Sequence, residues 1–105
     1  MPYFHISSGP RGCYMPDNAA VIYVKTRREL RAAIAYEAEC YREAGFVGAN
    51  ARAVSAVATA AWRERSLTLP YALPLAPPHA RRNYCHGVFV SRATRDDYRD
   101  YVRES

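Results

Sequence analysis

Lysine is almost missing from this chain: Lys25 is the only one among 15 basic residues, and the other fourteen are arginine. Cysteine is also scarce. Cys13, Cys40 and Cys85 make an odd number with no C-x-x-C pair, which excludes a secreted disulfide framework. No apolar run approaches the roughly 20 residues needed to span a bilayer. The opening Met1-Pro2-Tyr3-Phe4-His5 has no basic region followed by an apolar stretch, so no signal peptide is expected and a cytoplasmic location is. No internal repeat is visible.

What remains is a 105-residue chain, one domain's worth, of which half the residues are hydrophobic. A domain of this size buries roughly 60–70% of its unfolded surface and folds without staples. That composition argues against disorder. Ten acidic residues leave a net charge of +5. The arginine bias has two readings. GC-rich coding favours arginine and alanine, which is also abundant. Alternatively, guanidinium groups supply planar, bidentate contacts to phosphates or carboxylates.

Tyr3 to Ser7 reads as a short strand ended by the breakers Ser8-Gly9-Pro10. Ala20 to Lys25 reads as a second strand, and its near-continuous apolar run predicts a central position. The two are expected to pair as a hairpin across the loop from Ser8 to Asn18. Thr26-Arg27-Arg28-Glu29 fits a capping box, opening a helix with a core stripe of Leu30, Ala33, Ile34, Ala38, Tyr41 and Ala44. Gly45 is placed to end it, with Phe46 as the apolar contact beyond. A second helix follows from about Asn50 to Arg65, capped by Asn50, with Val54, Val57, Ala58, Ala61 and Trp62 on its apolar face. The short connection makes the two helices antiparallel neighbours. Residues 66–83 carry Pro70, Pro74, Pro77 and Pro78, which exclude a regular helix or a central strand. That segment is read as extended and packed on the domain, or as a polyproline stretch (Leu73 to Pro78) presented to a partner. Tyr84 to Ser91 is a third strand. Thr94 opens a last helix to about Glu104, with Asp96 and Asp97 in its first turn and Tyr98, Tyr101 and Val102 packing back. The expected fold is α+β: a small antiparallel sheet of about three strands against two antiparallel helices, plus a C-terminal helix, in a single domain over 1–105.

Catalytic and metal-binding patterns are thin. A cysteine nucleophile needs a base and an orienting group. Cys13 lies beside Arg11, which lowers a thiol pKa, but no spacing fixes His5 or His86 near it. His5, Cys13, His79, Cys85 and His86 offer zinc donor atoms, yet no two have the usual close spacing. Adjacent Cys85 and His86 point to opposite faces of a strand. A cysteine-dependent enzyme is therefore the outsider, and neither a metal nor a cofactor is expected.

Binding features are richer. The loop Ser7 to Asn18 is not a P-loop, because it lacks the G-K-[ST] ending and precedes a strand. Its length suits a functional loop with Arg11 and Tyr14 as contacts, or a plain hairpin cover for one end of the sheet. Arginines cluster as Arg27-Arg28-Arg31, as Arg81-Arg82, and as Arg92-Arg95-Arg99-Arg103. With nine tyrosines they suit single-stranded nucleic acid. Tyrosine and arginine equally dominate protein–protein hot spots. Glutamates and aspartates interrupt the same helices, so no unbroken basic stripe is expected.

The string Ser7-Ser8-Gly9-Pro10-Arg11-Gly12-Cys13-Tyr14-Met15-Pro16-Asp17-Asn18, followed by Val24-Lys25-Thr26-Arg27-Arg28-Glu29-Leu30, resembles short accessory proteins of temperate phages and mobile elements. Val88 to Arg95 forms a second patch of likeness. The resemblance implies a non-enzymatic inhibitor of a host defence system, of the anti-CRISPR type, bound to a protein or ribonucleoprotein complex in the host cytoplasm. It supplies no catalytic residues. Partner contacts are expected at Arg11, Tyr14, Arg27, Arg28, Arg31, Arg81 and Arg82. A nucleic-acid-binding module or regulator is the alternative.

Overall fold

The computed structural model describes residues 2–10, 19–64, 70–76, 78 and 86–104. Seven elements follow along the chain: β1 (Tyr3–Pro10), β2 (Ala20–Tyr23), α1 (Arg27–Glu43), α2 (Ala51–Arg63), β3 (Tyr71–Leu75), β4 (His86–Ala93) and α3 (Arg95–Glu104). The strands form one antiparallel sheet in the order β2-β1-β4-β3. The α+β class expected from the sequence is what the chain adopts.

Local signals fix both long helices. The Thr26 hydroxyl accepts from the Glu29 N–H at 3.2 Å. The Glu29 carboxylate reaches back to the Lys25 N–H at 2.9 Å, one residue beyond the cap. At the other end Gly45 takes φ +90°. The Gly45 N–H donates to Arg42 O and the Phe46 N–H to Tyr41 O, which completes a Schellman motif. The Phe46 ring then meets Tyr41 edge-on, with centroids 5.1 Å apart. In α2 the Asn50 side chain accepts from the Ala53 N–H at 2.8 Å, as an N-cap should.

The core lies between the helices and one face of the sheet. Phe4, Leu30, Ile34, Leu73, Leu75, Val88 and Val90 are its fully buried large side chains. Each contributes about 1.5–3 kcal/mol of transfer free energy. Leu30, Ile34 and Ala38 of α1 face Val54, Ala58 and Ala61 of α2 across this cluster. Ala44, expected in the stripe, is instead the exposed C-cap.

Four strands form where about three were expected. Tyr71–Leu75 pairs with β4, despite Pro74, because it is an edge strand and an edge can spare one N–H. Leu73 and Leu75 are buried, so this stretch is docked and is not a polyproline ligand. The remainder of the segment, 66–69, 77 and 79–83, lies outside the described residues. The central position expected for Ala20–Lys25 is also corrected: β2 is an edge, and β1 and β4 are the central strands. Its apolar run arises because the core covers one face and α3 lies against the strand. Burial on both faces does not require two strand neighbours.

α3 packs less than its sequence suggests. Tyr98 sits against Tyr3 with centroids 5.3 Å apart, but Tyr101 and Val102 are 41% and 53% exposed and no residue of α3 is buried. Its first turn is tied to the sheet. There the Thr94 hydroxyl and Asp97 carboxylate cap each other's N–H groups, and Asp97 Oδ2 lies 3.3 Å from His5 Nε2.

Candidate functional site

Helical spacing sets two facing rows. Arg27 and Arg31 stand four residues apart on α1, with Arg28 beside them. Ser55 and Thr59 stand four apart on α2. Residues four apart share a helix face. Because the helices are antiparallel, the start of α1 meets the middle of α2. Thr26, Arg27, Arg28, Arg31, Ser55, Ala58 and Thr59 then line a groove of about 450 Å³. Arg31 and Ser55 also border a second hollow of about 290 Å³, walled mainly by Ala32, Ala35, Ala49, Ala51 and Val54, with Glu39 and Arg42 completing its lining. The result is one cleft with a charged, basic half and a mainly apolar half that carries the Glu39–Arg42 pair.

No carboxylate lines the charged half. The acidic residues of α1 are engaged elsewhere or stand off the groove. Glu29 caps its own helix. Glu37 accepts from the Ser8 hydroxyl at 2.6 Å. Glu39 pairs with Arg42. α2 from Ala51 to Arg63 contains no carboxylate at all. Arg27, Arg28 and Arg31 are exposed and have no hydrogen-bond or ion-pair partner among the described residues. The sequence suggested that glutamates break up any basic stripe. Along the chain they do, but in space none of them lines the groove at Arg27, Arg28 and Arg31, and Glu39, paired with Arg42, borders the adjoining hollow.

Of the expected contact residues, Arg27, Arg28 and Arg31 come together here. Arg11, Tyr14, Arg81 and Arg82 lie outside the described residues. Ser55 and Thr59 were missed by sequence reasoning, because their role depends on which face of α2 meets α1. Arg92 is set apart from the cluster it belongs to in sequence. Its guanidinium lies over the Phe4 ring at 4.7 Å and donates to Trp62 O at 2.7 Å and Glu64 O at 3.0 Å, closing the C-terminal end of α2.

The catalytic alternative finds little geometry. His5 points to the α3 side of the sheet, toward Asp97, whereas His86 sits on the helix side against Tyr41 and Phe46. The two imidazoles cannot serve one centre. Cys13, His79 and Cys85 lie outside the described residues. Among the described residues no group of three or more His, Cys, Asp or Glu side chains is placed to hold a metal ion. Asp97 is held below the ordinary carboxyl value of 3.8, first by the Thr94 N–H; burial opposes this, and the Thr94 hydroxyl and His5 add to it. That carboxylate fastens α3 to the sheet.

These features define an α+β domain carrying a basic, hydroxyl-lined cleft between two helices, and among the described residues no helix is long and apolar enough to cross a membrane. No family model, no curated protein and no solved structure matches the chain.

Proposed function

We propose that this chain is a non-enzymatic binding protein whose α1–α2 cleft docks on a negatively charged surface of a protein or ribonucleoprotein complex. The supporting observation is the row Arg27, Arg28 and Arg31, exposed, without acidic partners, and set against the hydroxyl-bearing Ser55 and Thr59. Uncompensated guanidinium groups in a groove with no carboxylate among its lining residues favour an anionic partner and steer its approach. The separation of His5 from His86 supports binding over catalysis. The resemblance to phage accessory proteins supplies the biological setting: inhibition of a host defence complex in the host cytoplasm.

Affinity capture from a host lysate tests this reading, using the native chain and R27E/R28E/R31E in parallel. Recovery of a defence-complex component by the native chain, and its loss from the variant, is the expected outcome. Equal recovery by both chains, or none by either, overturns the proposal.

A further inference from the structure

We infer that the anion taken up by this cleft is the phosphodiester backbone of a single-stranded nucleic acid. This rests on the docking reading and names the chemistry of the partner. The cleft combines three features that suit a nucleotide chain better than an acidic peptide. Its charged half presents guanidinium forks from one helix and hydroxyl-bearing side chains from the other, so donors approach an anion from two sides. The backbone N–H groups of Arg27 and Arg28 have no hydrogen-bond partner among the described residues, which adds amide donors at the end of the charged half. Its second half is alanine-rich, with the mutually neutralising Glu39–Arg42 pair on its wall, and joins the first at Arg31 and Ser55.

A strand of nucleic acid matches this division, with a charged backbone on one side and uncharged sugars and bases on the other. Arg31 stands at the junction, where a guanidinium plane can pair with a phosphate or stack on a base. A polycarboxylate peptide matches only the charged half. A flexible single strand can follow a concave cleft between two packed helices, which the rigid, convex backbone of a duplex fits poorly.

The test is fluorescence anisotropy with a labelled single-stranded oligouridylate of roughly 12 nucleotides, within the usual footprint of one small domain. A polyglutamate peptide of equal charge is the comparison. Oligouridylate is expected to bind and polyglutamate to bind at least ten-fold more weakly. Three phosphate contacts at ~0.7 each predict a log–log salt slope of about −2, or a roughly twenty-fold loss between ~50 and ~200 mM salt. R27E/R28E/R31E is expected to abolish binding. R27K/R28K/R31K is expected to keep the slope but weaken binding several-fold, because lysine lacks the fork. S55A/T59V is expected to weaken binding without changing the slope. Misfolding of the charge-reversed chain is checked by its thermal melt; the three side chains are exposed, and glutamates in a first turn favour the helix dipole.

Tighter binding of polyglutamate, a flat salt response, or undiminished RNA binding by R27E/R28E/R31E overturns the phosphodiester assignment. Its failure is separable from that of the docking reading. A defence complex still captured through Arg27, Arg28 and Arg31 after nuclease digestion leaves docking intact and removes the phosphodiester. A complex captured equally by the charge-reversed chain removes docking itself.

Discussion

Gly48 sits where the α1–α2 connection touches the edge strand. Its φ is +114°, and a Cβ built there would lie 2.6 Å from the Pro74 carbonyl oxygen. Neighbouring Val47 exchanges both backbone hydrogen bonds with Ala76, at 2.9 and 2.8 Å. This contact locks β3 against the helix hairpin. Gly48→Ala is therefore expected to destabilise the fold on the order of 1–3 kcal/mol through strain and backbone clash, read as a lower urea midpoint. An unchanged midpoint would show that the connection does not hold β3. Arg92 makes a second prediction. Arg92→Met removes two hydrogen bonds to a charged donor and the contact over Phe4, a loss on the order of 3 kcal/mol. Arg92→Lys should recover only part, since one ammonium cannot reproduce the fork. The contrast between these residues and the helix caps explains what sequence reveals. Thr26 and Asn50 act within three residues, so their chemistry is written locally. Arg92 acts on carbonyls 28 and 30 residues away, so in sequence it is indistinguishable from Arg95 and Arg99.

Elements were legible where their signals were periodic and bounded. α1 and α2 declared themselves by caps, stripes and a terminal glycine. The strands were harder, because an apolar run reports burial and not the number of neighbours. β2 reads as central and is an edge, and β3 is disguised by Pro74. α3 shows the opposite failure: its Tyr98, Tyr101 and Val102 stripe promises burial, yet Tyr101 and Val102 stay exposed. Its attachment through Asp97 carries a pH signature. Asp97 titrates below the ordinary 3.8 in the folded chain, so its ionised form adds stability above 3.8, and this is lost as pH falls through the lower folded value. The stability gap between native chain and Asp97→Asn should be constant at neutral pH and close below pH 3.8, measured by melts at stepped pH. A gap that persists in acid would mean that the carboxylate's charge does not hold α3.

At the scale of the whole molecule, the two faces of the sheet differ in how charge is grouped. The groove at the start of α1 presents Arg27, Arg28 and Arg31 with no carboxylate among its lining residues, while α3 on the other side of the sheet interleaves Arg95, Arg99 and Arg103 with Asp96, Asp97, Asp100 and Glu104. Fold class and the arginine half of the cleft were readable from the chain. The hydroxyl half was not, because it exists only once α2 turns Ser55 and Thr59 toward α1. The sharpest measurement compares two neutralised chains for binding to the captured complex: R27Q/R28Q/R31Q in the cleft and R95Q/R99Q/R103Q on α3. Both remove three positive charges, so non-specific attraction to a basic protein falls equally. Loss of binding by the cleft variant and near-native binding by the α3 variant is the predicted result. Equal losses, or the reverse order, would contradict the placement of the working surface between α1 and α2.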